Sequence, residues 1–339
     1  MIPAMAPLPR VALLTLGGTI ASTSTGGGSG VAPRLGPAEL VAAVPDLVGV
    51  ARVEVGEVAR TPGPEVDLPL VLAAARAVRA RLADGCAGVV VTHGTDTLEE
   101  TALALDLLVG GEAPVVVTGA MRAPALPGAD GPANVLAAVT VAASPAARGL
   151  GCVVVLHDEV HAVRHVRKAH TSSPSTFTSA PLGPLGWVSE RRARIALRPA
   201  GRLPVLQVPD GAPVPRVALL AVAQGDDGGL LEHVTDGGWD GAVVAGLGGG
   251  HVPSRLVPAL ERLAAAVPVV LASRTGAGEA LRTTYGYPGS ERDLLARGLV
   301  PAGALGAPAA RVALTLLLAS GADRDGVRAG LAAVGLPPG

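Results

Sequence analysis

Gly88-Val89-Val90-Val91-Thr92-His93-Gly94-Thr95-Asp96-Thr97-Leu98-Glu99-Glu100 is the stretch that decides the architecture of this chain. Its opening run, Gly88 to Val91, is of strand length, and it is continuously apolar where a half-wet strand would alternate. It therefore reads as a strand buried on both faces. The polar turn leads directly into a segment of helical period, Leu98 to Val109, and a doubly buried strand feeding a helix is the unit of a parallel sheet covered by helices. The same alternation surrounds it. Val11 to Leu16, Val50 to Val58, Val115 to Val117 and Val153 to Leu156 read as strands, with helices at Pro37 to Val44, Pro69 to Leu82 and Asn134 to Ala143.

Between Arg198 and Pro215 the periodicity vanishes and four prolines and two glycines occur, the composition of a linker. Beyond it strands are expected at Val217 to Val222, Ala242 to Ala245 and Val269 to Ala272. Helices are expected near Pro258 to Ala266, Glu291 to Gly298, Ala309 to Ala319 and Arg324 to Val334. The expected fold is thus α/β in two domains. A parallel-sheet N-terminal domain covers 1–197, a linker 198–215, and a smaller α/β C-terminal domain 216–339.

Composition narrows the function. A formal net charge of −1, with no basic block longer than Arg191-Arg192-Ala193-Arg194, lacks the electrostatic footprint of a nucleic-acid binder. One Phe, two Trp and two Tyr in 339 residues leave few platforms for stacking, which points to a small polar ligand. No apolar run approaches the roughly 18 to 20 residues of a membrane span. Met1 to Arg10 has neither a charged start nor a cleavage site, so the cytoplasm is the expected location. Cys86 and Cys152 each open an apolar run, which suits reduced core thiols better than a disulfide framework.

In open parallel sheets ligands bind beyond the carboxyl ends of the strands, so the residues following each strand hold the candidates. The first strand ends in Leu16-Gly17-Gly18-Thr19-Ile20-Ala21, two glycines that let backbone approach a ligand and then a hydroxyl placed like a nucleophile. The same residues also read as a plain turn. Neither the Lys of a phosphate loop nor the third glycine of a dinucleotide fingerprint is present, and no cofactor is expected. At Thr92 to Glu100 free backbone N–H groups at a helix start suit a carboxylate, while Asp96 suits an ammonium; together they would recognise a free amino acid. A capped helix is the plainer reading, since Asp96 and Thr97 each have a glutamate three residues on. Lys168 is the single lysine among 27 basic side chains. Arginine keeps its proton in proteins, whereas a desolvated lysine beside other cations can release it and act as a base. Taken alone, Lys168 also reads as one surface charge in an arginine-biased chain.

Gly17-Gly18-Thr19-Ile20-Ala21, Thr92-His93-Gly94-Thr95-Asp96-Thr97 with Glu99-Glu100, Gly119-Ala120-Met121-Arg122, and Ala129-Asp130-Gly131-Pro132 with Asn134 resemble, in order and spacing, the successive motifs of the bacterial-type L-asparaginase family. The similarity extends to Pro184-Leu185-Gly186 and to Gly246-Leu247-Gly248. The resemblance implies a two-domain α/β hydrolase, a homodimer or homotetramer, acting on L-asparagine and more slowly on L-glutamine, without cofactor or metal. It implies Thr19 as the residue that forms the acyl-enzyme. Thr95, Asp96 and Lys168 would form the second catalytic cluster, with Asp96 also holding the substrate ammonium. Thr61, Gly94, Thr95, Asp96 and Ala120 would bind substrate, the backbone at Thr95 and Ala120 taking the α-carboxylate and polarising the amide oxygen.

The departures from that pattern are local. The loop Ser22 to Pro33 lacks the family's tyrosine, and the segment that usually offers Ser or Thr followed by Gln reads Arg60-Thr61-Pro62-Gly63. The second-domain stretches that reach a neighbouring subunit in the family read Gly249-Gly250-His251 and, nearby, Thr283-Thr284-Tyr285. These differences leave a related small-amide hydrolase, such as a glutaminase, and a weakly catalytic amino-acid-binding protein on the same scaffold as alternatives. The loop Ser22 to Gly30 is expected to act as a lid. His157, His161 and His165 recur every four residues but lie in what reads as strand and edge, without the spacing of a zinc motif.

Overall fold

A computed structural model describes residues 7–24 and 31–335. The chain divides into two compact units, Met1–Arg202 and Leu203–Gly339. Residues 198–215 contain neither helix nor strand. The start of this stretch is nonetheless tied to the first unit. Arg198 donates to the carbonyls of Arg148 and Ala146, and Arg202 to that of Gly111.

The first unit runs β1 (Arg10–Gly17), β2 (Ser22–Ser24), β3 (Val31–Pro33), α1 (Pro37–Ala42), β4 (Arg52–Thr61), α2 (Leu68–Ala83), β5 (Gly88–Thr92), α3 (Leu98–Val109), β6 (Val115–Thr118), α4 (Gly131–Ala142) and β7 (Cys152–Leu156). It closes with β8 (Glu159–Ala162), β9 (Arg167–Lys168), β10 (Phe177–Thr178), β11 (Gly186–Ser189) and β12 (Arg192–Ile195). Eight of these strands form one sheet in the order β12-β11-β8-β7-β6-β5-β1-β4. From β4 to β7 the pairings are parallel. Val89, Val90, Val91, Val116 and Val153 are wholly buried, as the unbroken apolar runs demand, each burial being worth about 1.5–3 kcal/mol. Residues 25–30 of the expected lid lie outside the described residues; its flanks, β2 and β3, pair antiparallel.

The sheet is not parallel throughout. At one edge β8, β11 and β12 pair antiparallel; the sequence reading has strand around His161 in β8 but neither β11 nor β12. These strands are four residues each, and β11 and β12 carry exposed polar side chains such as Ser189 and Arg192, so they have none of the continuous apolar character that marks the centre. The histidine series divides between turn and strand. His157 and Asp158, at φ 51° and 61°, form the tight turn between β7 and β8, the geometry a two-residue hairpin requires. His161 is buried in β8 and His165 lies beyond it.

In the second unit β13 (Val217–Ala221), β14 (Gly241–Gly246), β15 (Val269–Ser273) and β16 (Val300–Pro301) form a four-stranded parallel sheet. Its helices are α5 (Gly229–Asp236), α6 (Val257–Ala266), α7 (Glu291–Ala296), α8 (Ala307–Ala319) and α9 (Arg324–Gly335). Helix α5 is absent from the sequence reading because it follows a left-handed Gly228 and begins on Gly229, which reads as turn. Among the described residues no helix is long and apolar enough to cross a membrane.

Candidate active site

Because β1, β4, β5 and β6 are parallel neighbours, their carboxyl ends lie along one edge of the sheet. The four loops leaving them meet through glycine. Gly17 and Gly18 take φ of 110° and 86°, and a β-carbon on Gly17 would stand 2.4 Å from the Thr61 carbonyl oxygen. On Gly18 it would stand 2.4 Å from the Gly94 nitrogen. The Gly18 N–H donates to the Thr61 carbonyl at 3.1 Å. A β-carbon on Gly119 would meet the His93 carbonyl at 2.6 Å and the Thr95 methyl at 3.2 Å. No side chain fits between these segments, so the motifs read separately in sequence are backbone neighbours. Thr19, Thr61, Gly94, Thr95 and Ala120 are thereby drawn to one region.

Thr19 opens a short 3₁₀ turn with its side chain partly exposed, directly after the Gly18–Gly94 contact. Among the described residues nothing hydrogen-bonds its hydroxyl. The turn below it is fixed by Ser22, whose buried hydroxyl donates to the Gly18 carbonyl at 2.9 Å. Thr61 ends β4 and meets the site through its backbone. Ala120 is fully buried in the loop after β6.

The second cluster is assembled by one ammonium. Lys168 Nζ donates to Thr95 Oγ1 at 2.9 Å and to Asp96 Oδ1 at 2.7 Å. Thr95 is buried, whereas Asp96 is exposed and keeps Oδ2 without a partner among the described residues, open to a substrate cation. Since Thr95 Oγ1 accepts from the amine, its own proton is directed elsewhere. The amine's partners are a hydroxyl and a carboxylate rather than the neighbouring cations on which the sequence argument rested. Pairing of β9 with β10 sets Lys168 opposite the buried Phe177, and the Glu99 carboxylate accepts the Lys168 backbone N–H. Burial pushes the Glu99 carboxyl up, opposed by that hydrogen bond.

The helix-cap reading of Thr97 does not survive. Thr97 sits at the N-cap of α3 without a side-chain capping bond, and its hydroxyl donates instead to the Gly63 carbonyl at 2.8 Å, joining the β5 loop to the β4 loop. Two residues quoted only as motif acquire a task. Asp130 accepts the backbone N–H groups of Met121 and Arg122, and Asn134 donates to Asp130 and to the Gly119 carbonyl while its oxygen accepts the His157 N–H. They fix the loop after β6 and with it Ala120. The signal was present in the motif's Asp and Asn four residues apart at a helix start, but their long-range partners are invisible in sequence. Among the described residues no group of three or more His, Cys, Asp or Glu could hold a metal ion.

This arrangement has counterparts. The family described as "Asparaginase, N-terminal" matches residues 10–200, and "Glutaminase/Asparaginase C-terminal domain" matches residues 216–330. The chain belongs to the asparaginase family. A relative from Deinococcus radiodurans, named a probable L-asparaginase, is 39% identical over 95% of this chain and 97% of its own. One from Haemophilus influenzae, named a probable periplasmic L-asparaginase, is 33% identical over 94% of this chain and 91% of its own. The crystal structure of a probable cytoplasmic L-asparaginase from Campylobacter jejuni superposes with a TM-score of 0.85 at 28% identity, covering 95% of this chain and 99% of that one. Asparaginase-family membership thus accounts for both units.

Proposed function

We propose that the protein hydrolyses the side-chain amide of L-asparagine to L-aspartate and ammonia through a threonine acyl-enzyme. The observation that carries this reading is the Lys168–Thr95–Asp96 cluster beside the glycine contact that introduces Thr19. The Thr19 hydroxyl attacks the amide carbon and its proton passes to a base. The tetrahedral intermediate collapses to an ester as ammonia leaves with a proton, and water then cleaves the ester. Asp96 grips the α-ammonium, and Thr61, Gly94, Thr95 and Ala120 offer main-chain groups to the α-carboxylate and the amide oxygen. Thr95, held by Lys168, orients the attacking group.

The altered segments Arg60-Thr61-Pro62-Gly63, Gly249-Gly250-His251 and Thr283-Thr284-Tyr285 support a second reading, a related small-amide hydrolase that accepts L-glutamine, and the absence of tyrosine from Ser22 to Pro33 supports a weakly catalytic binder. Ammonia release across a panel of amides separates the two, and calorimetry with L-asparagine identifies a binder that does not turn over. Thr19→Ala is expected to lower kcat by on the order of 10⁴-fold while retaining aspartate binding, because losing a nucleophile removes the covalent route. Turnover within tenfold of wild type would exclude Thr19 as the nucleophile.

The homodimer or homotetramer expected from the resemblance remains part of this reading, to be tested by sedimentation. So does a cytoplasmic location, supported by the Campylobacter relative's description and opposed by that of the Haemophilus relative. Cell fractionation decides between them.

A further inference from the structure

His93 is fully buried beneath the β5 turn, and both its ring nitrogens have partners. Nδ1 lies 2.6 Å from the Gly94 carbonyl oxygen and Nε2 lies 2.9 Å from Thr101 Oγ1 on α3. A carbonyl can only accept, so Nδ1 carries the proton. Nε2 then accepts from the Thr101 hydroxyl in the neutral ring, the form that burial favours by lowering the His93 pKa.

The Gly94 carbonyl and the Thr95 N–H belong to one planar peptide, in which they point to opposite sides. A ring that pulls this carbonyl into the protein interior turns the Thr95 N–H the other way. That N–H donates to no group among the described residues, and it adjoins Gly94, against whose nitrogen Gly18 packs just before Thr19. We infer that His93 is a positioning residue: it locks the Gly94–Thr95 peptide so that the Thr95 N–H is presented to the oxygen on which charge develops when Thr19 attacks. The ring touches no substrate. Its effect passes through one peptide plane, and Thr101 sustains that effect by fixing the tautomer.

This inference rests on the reading of Thr19 as nucleophile and deepens it. Asparagine and glutamine at position 93 test it, because the Asn amide nitrogen falls near the place of Nδ1 and the Gln amide nitrogen near that of Nε2. His93→Asn is expected to keep kcat within about threefold. His93→Gln is expected to lose about tenfold to hundredfold in kcat with KM little changed, less than the 10²–10³ that follows deletion of an oxyanion donor. Melting curves and circular dichroism establish that each variant is folded. Equal losses in the two variants, or a more active Gln variant, would overturn the inference.

Nitrogen NMR of the wild-type ring provides a readout that does not depend on either variant folding. The resting enzyme should carry its His93 proton on Nδ1, and a proton on Nε2 alone would overturn the inference. Failure here with Thr19→Ala still inactive would count against His93 only. An active Thr19→Ala would instead remove the nucleophile reading beneath it.

Discussion

Polar side chains in the two units are organised in opposite ways. In the first unit the Lys168 ammonium joins Thr95 and Asp96 through side-chain bonds, next to loops whose glycines press backbone against backbone. In the second, a wholly buried carboxylate, Glu291, accepts the N–H groups of Thr284 and Tyr285 at 2.8 and 2.7 Å and pairs with His251 at 3.1 Å. Against His251 stand the rings of Tyr285 and Tyr287, the only tyrosines of the chain, at 5.0 and 5.6 Å and roughly half exposed. Burial pushes the Glu291 carboxyl up, but the hydrogen bonds from Tyr285, Thr284 and His251 outweigh it and the net direction is down. One region sets an exposed carboxylate on a half-buried ammonium; the other displays rings on a buried anion.

The strongest way to break this contrast is at Lys168. Lys168→Met and Lys168→Arg are both expected to fold and to lose about 100-fold or more in kcat, the scale of a positioned acid–base group. Methionine removes the donor to Thr95. Arginine replaces a compact ammonium with a broad fork that cannot meet Thr95 Oγ1 and Asp96 Oδ1 in the same geometry. Near-normal kcat in Lys168→Arg would reduce the lysine to an ordinary charge.

That experiment also marks what the sequence could convey. The doubly buried valine strands and the loops that end them were legible because burial on both faces leaves an uninterrupted apolar run. Lys168 stood out as the single lysine, and Thr19, Thr95 and Asp96 as polar residues at strand ends; the roles proposed for them rest on the family resemblance. The partners were not legible. Nothing near Thr97 announces Gly63, 34 residues earlier, as the acceptor of its hydroxyl, and local spacing suggested a cap in its place. Strands β11 and β12 escaped because an antiparallel edge four residues long with exposed side chains has little hydrophobic signature. His93 read as motif because its ring bonds become visible only when α3 brings Thr101 beside it.

The tyrosines sharpen the contrast at smaller amplitude. For the proposed nucleophile Thr19, no described group accepts the hydroxyl proton and the loop after β1 contains no tyrosine, so a base from elsewhere is proposed. The resemblance implies second-domain residues offered to a neighbouring subunit, and Tyr285 or Tyr287 is proposed as the source, Tyr285 first. Tyr285→Phe removes one hydroxyl and almost no volume, and is expected to lower kcat by about tenfold if that hydroxyl assists Thr19. Tyr287→Phe serves as the control. Wild-type rates in both would leave Thr95 and Lys168 to activate Thr19.

The smallest expected effect separates the acid sensitivity of the two regions. His161 in β8 is almost wholly buried; its Nδ1 lies 3.0 Å from Ser179 Oγ, while Glu159 Oε2 stands 3.3 Å from Nε2 without hydrogen-bonding geometry. Burial lowers the His161 pKa from 6.5 to about 4. A folded state that resists protonation binds fewer protons than the unfolded chain at mildly acid pH. The stabilisation is therefore complete above 6.5 and is lost as pH falls toward 4. Linkage gives a loss of about 1 kcal/mol between pH 7 and pH 5.5. Glu291 acts in a lower window: its depressed pKa contributes stability above 4.5 that is lost only as pH falls below that value. The first unit should therefore soften first. His161→Asn keeps a nitrogen near Nδ1 for Ser179 and cannot titrate, so urea midpoints of this variant should show a shallower decline from pH 7 to 5.5 than wild type. An unchanged decline would assign the acid sensitivity to His93 and His165, whose pKa values burial also lowers.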